Sequence, residues 1–190
     1  MEYHITLPFT QEVLNTVKSG DILYLTGELY TARDAAHKRM YDAVTAYRAE
    51  HTDKEMTAKS LFEAEVLPVD LTGATVYYLG PTPARPGQVI GSAGPTTSGR
   101  MDKYTPLLLG LGMKGMIGKG RRSEEVRAAI AACHAVYMGA TGGAGALLSK
   151  CIKKAEVVAY EDLGTEAIRH LYVEDFPVTV LIDAEGNIFP

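Results

Sequence analysis

Strands alternate with short helices along this chain, and that alternation predicts an α/β domain. Two observations carry the prediction. Short apolar runs rich in strand formers, such as DILYLTGEL at 21–29 and TVYYL at 75–79, are separated by stretches whose apolar residues recur at helical spacing. Glycine-rich segments at 94–99, 118–120 and 139–145 each follow such a run, so they cluster if the strands share one sheet. A site built there is a composite of loops. The 190 residues suffice for one well-buried domain, and the whole chain is read as one.

Taken in order, Ile5 and Leu7 predict a first short strand. Thr10 then caps a helix carrying Val13, Leu14 and Val17, which Ser19 and Gly20 end. The core strand at 21–29 leads into TARDAAHKR at 31–39, the start of a helix running to about Glu50 with Ala36, Met40, Ala43, Val44 and Tyr47 on one stripe. A polar loop at 51–59 and a short amphipathic segment around Leu61 and Phe62 precede the strand at 75–79. Pro81, Pro83 and Pro86 stiffen the approach to GPTTSGRMDKY at 94–104, with a short strand expected at Val89 and Ile90.

A helix is expected over 101–111 with Pro106 confined to its first turn or a break, then a buried strand at 115–117 and the turn Gly118-Lys119-Gly120. Ser123 caps a helix over 124–132, with Glu124 and Glu125 well placed against its dipole. Strands follow at 135–138, 155–160 and 178–182, with a tight turn at 141–145 between the first two and a last turn at 184–187.

The net charge of −4 and the absence of any basic block longer than Lys119-Gly120-Arg121-Arg122 argue against a nucleic-acid surface. The cations that remain lie beside glycines and threonines, which points to a small anion. The start MEYHITLPFTQEV has no cationic region followed by an apolar run, and no membrane-length apolar run occurs, so a cytoplasmic protein is expected. Cys133 and Cys151 lack metal-ligand spacing, as do the five histidines.

Residues 94–99 bracket the hydroxyls of Thr96, Thr97 and Ser98 with small residues, so backbone and side-chain donors can face one ligand. If a helix starts near Ser98 or Gly99, its free N–H groups add to the charge of Arg100. Arg33 and Arg100, on different loops, suit a ligand with two acidic ends, because a guanidinium pairs a carboxylate through two parallel bonds; Lys119 adds a third charge. Bland readings stand beside these. Arg33, Asp34, His37, Lys38 and Arg39 also read as a solvated first turn with pairing such as Asp34 to Lys38, and the threonines as turn stabilisers. GKGRRS is not a P-loop, and TGGAGA fits a dinucleotide fingerprint only loosely.

Together, TARDAAHKR, YYLGP, GPTTSGRMD, GKG, TGGAGAL and DFPVTVLIDAEGN resemble, in that order, the beta subunit of two-subunit class I fumarate hydratases. The same region is the C-terminal domain of single-chain class I enzymes, and L-tartrate dehydratase beta subunits are close relatives. The resemblance runs from Asp21 to the end of the chain. It implies a swivelling β/β/α fold with a sheet-rich core under helices. It further implies an alpha subunit carrying a [4Fe–4S] cluster on three cysteines, with one iron open to substrate. This chain lacks those cysteines and is expected to be inactive alone, in an assembly of two alpha and two beta chains acting on fumarate and malate. The family's substrate-binding arginines fall on Arg33 and Arg100 and its lysine on Lys119. Its proton-exchanging threonine falls on Thr96, with Thr97 beside it. Asp34 and His37 stand behind, orienting the arginine and the helix start. Arg169 departs from the family, which often has an aromatic residue there, and the polar segment at 51–59 has no assigned place. The rival readings are a tartrate dehydratase beta subunit, a stand-alone dicarboxylate- or phosphate-binding module, and a purely structural subunit.

Overall fold

The computed structural model describes residues 1–53, 55–140 and 144–190; the expected turn at 141–145 therefore lies for the most part outside the described residues. The described elements are β1 (Glu2–Thr6), α1 (Gln11–Thr16), β2 (Ile22–Thr31), α2 (Asp34–Glu50), α3 (Ala58–Glu63), β3 (Thr75–Tyr77), α4 (Thr105–Gly110), β4 (Gly115–Gly118), α5 (Glu124–Cys133), β5 (Val136–Gly139), α6 (Gly145–Cys151), β6 (Ile152–Ala159) and β7 (Ile168–Ile182). Single 3₁₀ segments occupy Ser98–Met101 and Glu161–Glu166. The architecture is α/β, a sheet-rich core with helices over it.

The strands form a seven-stranded sheet in the order β1-β2-β3-β4-β5-β7-β6, and β2 also pairs with β7. That extra pairing closes β2, β3, β4, β5 and β7 on themselves. β1 to β5 run parallel to their sheet neighbours within that series, whereas β7 runs antiparallel to β2, β5 and β6. Period-two alternation divides the core accordingly. Tyr77, Ile117, Val136 and Met138 face one cluster with Leu23, Leu25, Val178 and Val180. Val76, Met116 and Tyr137 face the other, against Met40 and Val44 of α2, Leu61 of α3, Leu108 of α4 and Val126 and Ile130 of α5. Leu23 and Leu25 are fully buried, each contributing about 1.5–3 kcal/mol over exposure. A one-residue slip of β2 would turn both outward, so burial sets the register.

Local chemistry explains the ends of the helices. Thr10 accepts from the Val13 N–H at 3.2 Å and Ser123 from the Val126 N–H at 3.3 Å, as expected of N-caps. Thr57 and Ser60 form a reciprocal capping box that starts α3 and buries Leu61, while Phe62 points outward at 45% exposure. Gly20 has φ 92°, and a side chain there would meet the Phe189 ring at 2.8 Å, so the turn before β2 requires glycine.

Several expectations need correction. No strand forms at Val89 and Ile90: Ile90 is buried in the core instead, and the loop closes through the Ser92 N–H donating to Thr82 Oγ1 at 2.8 Å. The helix expected over 101–111 divides, because Pro106 sits in the first turn of α4 and the chain before it makes only one 3₁₀ turn. β6 starts at Ile152 rather than 155. β7 spans fifteen residues, where only 178–182 were expected. Charges and Pro177 mask its first part, yet Ile168, Leu171, Val173 and Phe176 are buried there because β7 crosses both β2 and β6.

Candidate functional site

The C-terminal ends of parallel strands β2, β3 and β4 bring the candidate residues to one rim. In parallel sheets ligands collect at that end, where loops leave the strands. Arg33 lies two residues past the end of β2, and the Ala32 N–H between them donates to the Tyr77 carbonyl at the end of β3 at 3.1 Å. Beyond β3, the Thr96 N–H donates to the Tyr78 carbonyl at 2.8 Å. The loop then runs beside the end of β4: the Ser98 N–H donates to the Lys119 carbonyl at 2.9 Å and the Lys119 N–H to the Thr96 carbonyl at 3.2 Å, so Thr97 and Lys119 form a parallel bridge. Thr96, Thr97, Arg100 and Lys119 thus share one patch although Lys119 is remote in sequence.

This patch is built on close approach. A Cβ at Gly118 would collide with Ser98 Oγ and with the Tyr78 ring at 2.7 Å, so glycine there lets the threonine loop lie flat on β4. Tyr137 Oη lies 2.8 Å from both Ser98 Oγ and the Gly120 carbonyl. Its one proton goes to the carbonyl, which only accepts, so Ser98 donates to Tyr137. Burial pushes the Tyr137 phenol up to about 12, which keeps it neutral and a fixed prop.

Arg122 holds the patch from below. Its side chain is fully buried, and Nε donates to Asp102 Oδ1 at 2.6 Å, Nη2 to Thr105 Oγ1 at 2.8 Å and Nη1 to Tyr78 Oη at 3.2 Å. The guanidinium also lies over the rings of Tyr78 and Tyr137, at 5.3 and 4.9 Å from their centroids. Asp102 completes the brace by accepting from the Ser123 N–H at 2.7 Å. By contrast Arg100 and Lys119 are exposed, and among the described residues neither side chain has a hydrogen bond or ion pair. An anion would find two uncommitted cations and two hydroxyls here.

The helix-dipole expectation is corrected. The segment starting at Ser98 is a four-residue 3₁₀ turn, its Arg100 N–H already turns back to the Thr97 carbonyl at 3.4 Å, and α4 begins only at Thr105. The charge at this loop comes from side chains. The pairing expected between Asp34 and Lys38 is replaced as well, since Lys38 pairs with Asp42 on the next turn.

Asp34 turns toward Arg33 instead. Arg33 Nε lies 3.0 Å from Glu166 Oε1 and 3.7 Å from Asp34 Oδ1. Burial, then the charge of Asp34, pushes the Glu166 carboxyl above its ordinary range, against the opposing pull of Arg33 and Arg100. His37 is fully buried and contacts the Arg33 carbonyl through Nδ1 at 2.8 Å, with its ring edge-on to Tyr78 at 5.3 Å. Burial is the main cause that lowers its pKa to about 4. It is therefore neutral, and Nδ1 carries the proton it donates to Arg33.

With this geometry in place, the comparison with known sequences is decisive. The family model for the C-terminus of fumarase matches residues 2–189. The chain belongs to the fumarase C-terminus family. It is 38% identical over 172 residues to the anaerobic class I fumarate hydratase of Escherichia coli (strain K12), covering 88% of this chain and 28% of that protein. Against the mitochondrial fumarate hydratase 1 of Leishmania major it is 37% identical, again over 88% of this chain and 28% of the relative. It is 32% identical to a putative L(+)-tartrate dehydratase subunit beta of Methanocaldococcus jannaschii, covering 98% of this chain and 90% of that subunit. This family member thus spans little more than a quarter of the fumarate hydratases it matches.

Cys133 and Cys151 are the two cysteines of this fumarase C-terminus chain, and among the described residues no three His, Cys, Asp or Glu side chains converge in a metal-holding group. These donors do not fit an iron–sulfur cluster, which takes several thiolates. Sequence reasoning missed Arg122, Tyr137 and Glu166. Arg122 is indistinguishable from Arg121 in GKGRRS, and Glu166 lies far along the chain in an ordinary charged run.

Proposed function

We propose that this chain is the beta subunit of a two-subunit class I fumarate hydratase, carrying out reversible hydration of fumarate to (S)-malate together with an alpha subunit. The observation that carries the reading is the rim where Arg100, Lys119, Thr96 and Thr97 meet with both cations uncommitted among the described residues. Arg33 at the end of the neighbouring strand supplies a second guanidinium. In this reading Arg33 and Arg100 take the two carboxylates of the diacid, and Lys119 adds charge at the end where an enolate-like carboxylate develops. Cations there stabilise the transition state more than the ground state. Oγ1 of Thr96 or Thr97 exchanges the proton on carbon, helped by the positive field around it. A [4Fe–4S] cluster would be held by the alpha subunit and not by this chain, and would supply Lewis-acid chemistry when bound.

Likeness to a subunit supports the two-chain reading: the chain is 32% identical to the putative L(+)-tartrate dehydratase subunit beta of Methanocaldococcus jannaschii and covers 90% of it. The same coverage favours a second reading, an L-tartrate dehydratase beta subunit, in which the same clamps hold a hydroxylated diacid. No helix of the described residues is long and apolar enough to cross a membrane.

The test is anaerobic co-expression with a candidate alpha chain, followed by fumarate hydration and tartrate dehydration assays on the purified pair. Fumarate turnover that requires both chains is the expected result. Tartrate turnover alone would move the assignment to the second reading. No association, with tight dicarboxylate binding by this chain by itself, would replace both with a stand-alone binding module.

A further inference from the structure

The segment that carries Glu166 is anchored from both sides. From α2, Arg39 makes a two-point pair with Asp162, at 2.8 and 2.7 Å, and its guanidinium lies 4.7 Å from the centre of the Tyr160 ring. From β7, Arg169 donates through Nη1 to the Thr165 and Ala167 carbonyls at 3.1 and 3.2 Å and through Nη2 to the Gly164 carbonyl at 3.2 Å. Arg169 therefore braces the turn on which Glu166 sits. A carboxylate fixed by its backbone in this way has a set position, and what lies 3.0 Å from its Oε1 is the Nε of Arg33.

A second observation concerns the other side of the same guanidinium. A Cβ at Gly80 would lie 2.7 Å from Arg33 Nη1 and 2.8 Å from Arg33 Cδ, with the Thr165 carbonyl at 3.3 Å. The arginine thus lies on bare backbone at the end of β3, in a slot that only glycine leaves open. Within this slot Arg33 Nε, Asp34 Oδ1 and Glu166 Oε1 are buried atoms that have no aligned hydrogen-bond partner among the described residues. Buried polar atoms left in this condition call for an explanation. With Nε beside Glu166, pairing of a ligand carboxylate through two parallel bonds falls to the Nη groups.

We infer that Glu166 is the positioning residue of Arg33: held by its braced turn, it takes the Nε edge of the guanidinium and presents the Nη edge to a ligand carboxylate, with Gly80 providing the slot. This deepens the proposed function and rests on its reading of Arg33 as a carboxylate-binding group. Glu166 itself does not touch the substrate. Its effect is on how well one end of the diacid is held, and so on KM before kcat.

The experiment compares Glu166→Ala, Glu166→Gln and Gly80→Ala in two measurements. In the ¹⁵N-labelled full chain, hydrogen exchange at Arg33 Nε is followed by NMR, the signal being assigned by its loss in Arg33→Lys. In the purified two-chain complex, KM and kcat for the diacid are measured. Glu166→Ala is expected to speed Arg33 Nε–H exchange severalfold and raise KM about tenfold or more while kcat falls less. Glu166→Gln keeps an acceptor at the same place and should recover most of both. Gly80→Ala crowds Arg33 Nη1 and Cδ most closely, with a lesser push on the Thr165 carbonyl, leaves the Glu166 carboxylate chemically intact, and should raise KM similarly. The inference is overturned if Glu166→Ala leaves exchange and KM at wild-type values, or if KM falls, which would make Glu166 a competitor for the substrate's place. A complex that turns over neither diacid would sink the proposed function, while the exchange measurement on the chain alone would still decide whether Glu166 holds Arg33.

Discussion

Two clusters of polar side chains at opposite ends of the closed sheet meet different fates. At the end where β2 begins, Asp21 and Asp183 are buried, and each of their oxygens is engaged. Asp21 accepts from the Met1 ammonium at 2.6 Å and the Lys18 N–H at 2.8 Å. Asp183 accepts from the Glu185 and Asn187 N–H groups at 3.0 Å, and from the Ser19 N–H and Asn187 Nδ2 at 3.2 Å. At the end where β2, β3 and β4 finish, Arg100 and Lys119 have no such partners among the described residues. A saturated cluster contributes to folding, because removing one member strands the others; an unsaturated one holds back its interaction energy for a ligand.

Arg122 sharpens that contrast, because it belongs to the rim by sequence and to the saturated class by structure. Arg122→Met should destabilise the fold by about 3–5 kcal/mol, since it leaves Asp102 beneath the patch without its cation. Urea unfolding monitored by circular dichroism measures this; a loss under about 1 kcal/mol would mean that Arg122 is not a pillar. At the opposite end, Asp183→Ala strips acceptors from Ser19, Glu185 and Asn187 and should cost about 2–4 kcal/mol of stability by the same measurement. Turnover per folded molecule should stay at the wild-type value, and a specific loss of activity would break the division between the two ends.

Arg100→Lys should reverse the pattern. Loss of the two-point geometry is expected to lower kcat/KM of the two-chain complex about 100-fold, or about 2.7 kcal/mol, with the unfolding midpoint and subunit assembly unchanged. A wild-type rate in that variant would remove Arg100 from the site. The smallest effect expected is a pH dependence. His37 has its pKa lowered to about 4, whereas in the unfolded chain it titrates near its ordinary 6.5. The unfolded state therefore binds more protons as pH falls below 6.5, and stability drops until about pH 4, where the folded state takes up the proton too. By pH 4.5 the loss from this group amounts to about 2–3 kcal/mol. His37→Gln should flatten the stability profile between those pH values; an unchanged slope would assign the acid sensitivity to other groups.

Much of the fold is legible in the residues. The caps at Thr10 and Ser123 report their helices because an N-cap is a local bargain between one side chain and one turn. The short parallel strands read as apolar runs because both faces are buried. β7 does not, since its first half carries Arg169, His170, Glu174 and Asp175, which suit a strand only once β2 and β6 lie on either side. At the site, Thr96, Thr97, Arg100 and Lys119 stand out in sequence because glycines flank them. Arg122 and Glu166 do not, because what distinguishes them is burial under Tyr78 and Tyr137 in one case and a braced turn opposite Arg33 in the other.

The sequence by itself determined the α/β alternation, the helix starts, the family to which the chain belongs and the glycine-flanked cations and hydroxyls of the candidate site, since each is encoded in neighbours along the chain. Only the tertiary structure decided which arginine stands exposed at the rim and which is a buried pillar. That choice depends on desolvation and on the partners available at a point in space, and Arg121, Arg122 and Arg100 are chemically identical until the sheet closes and buries one of them.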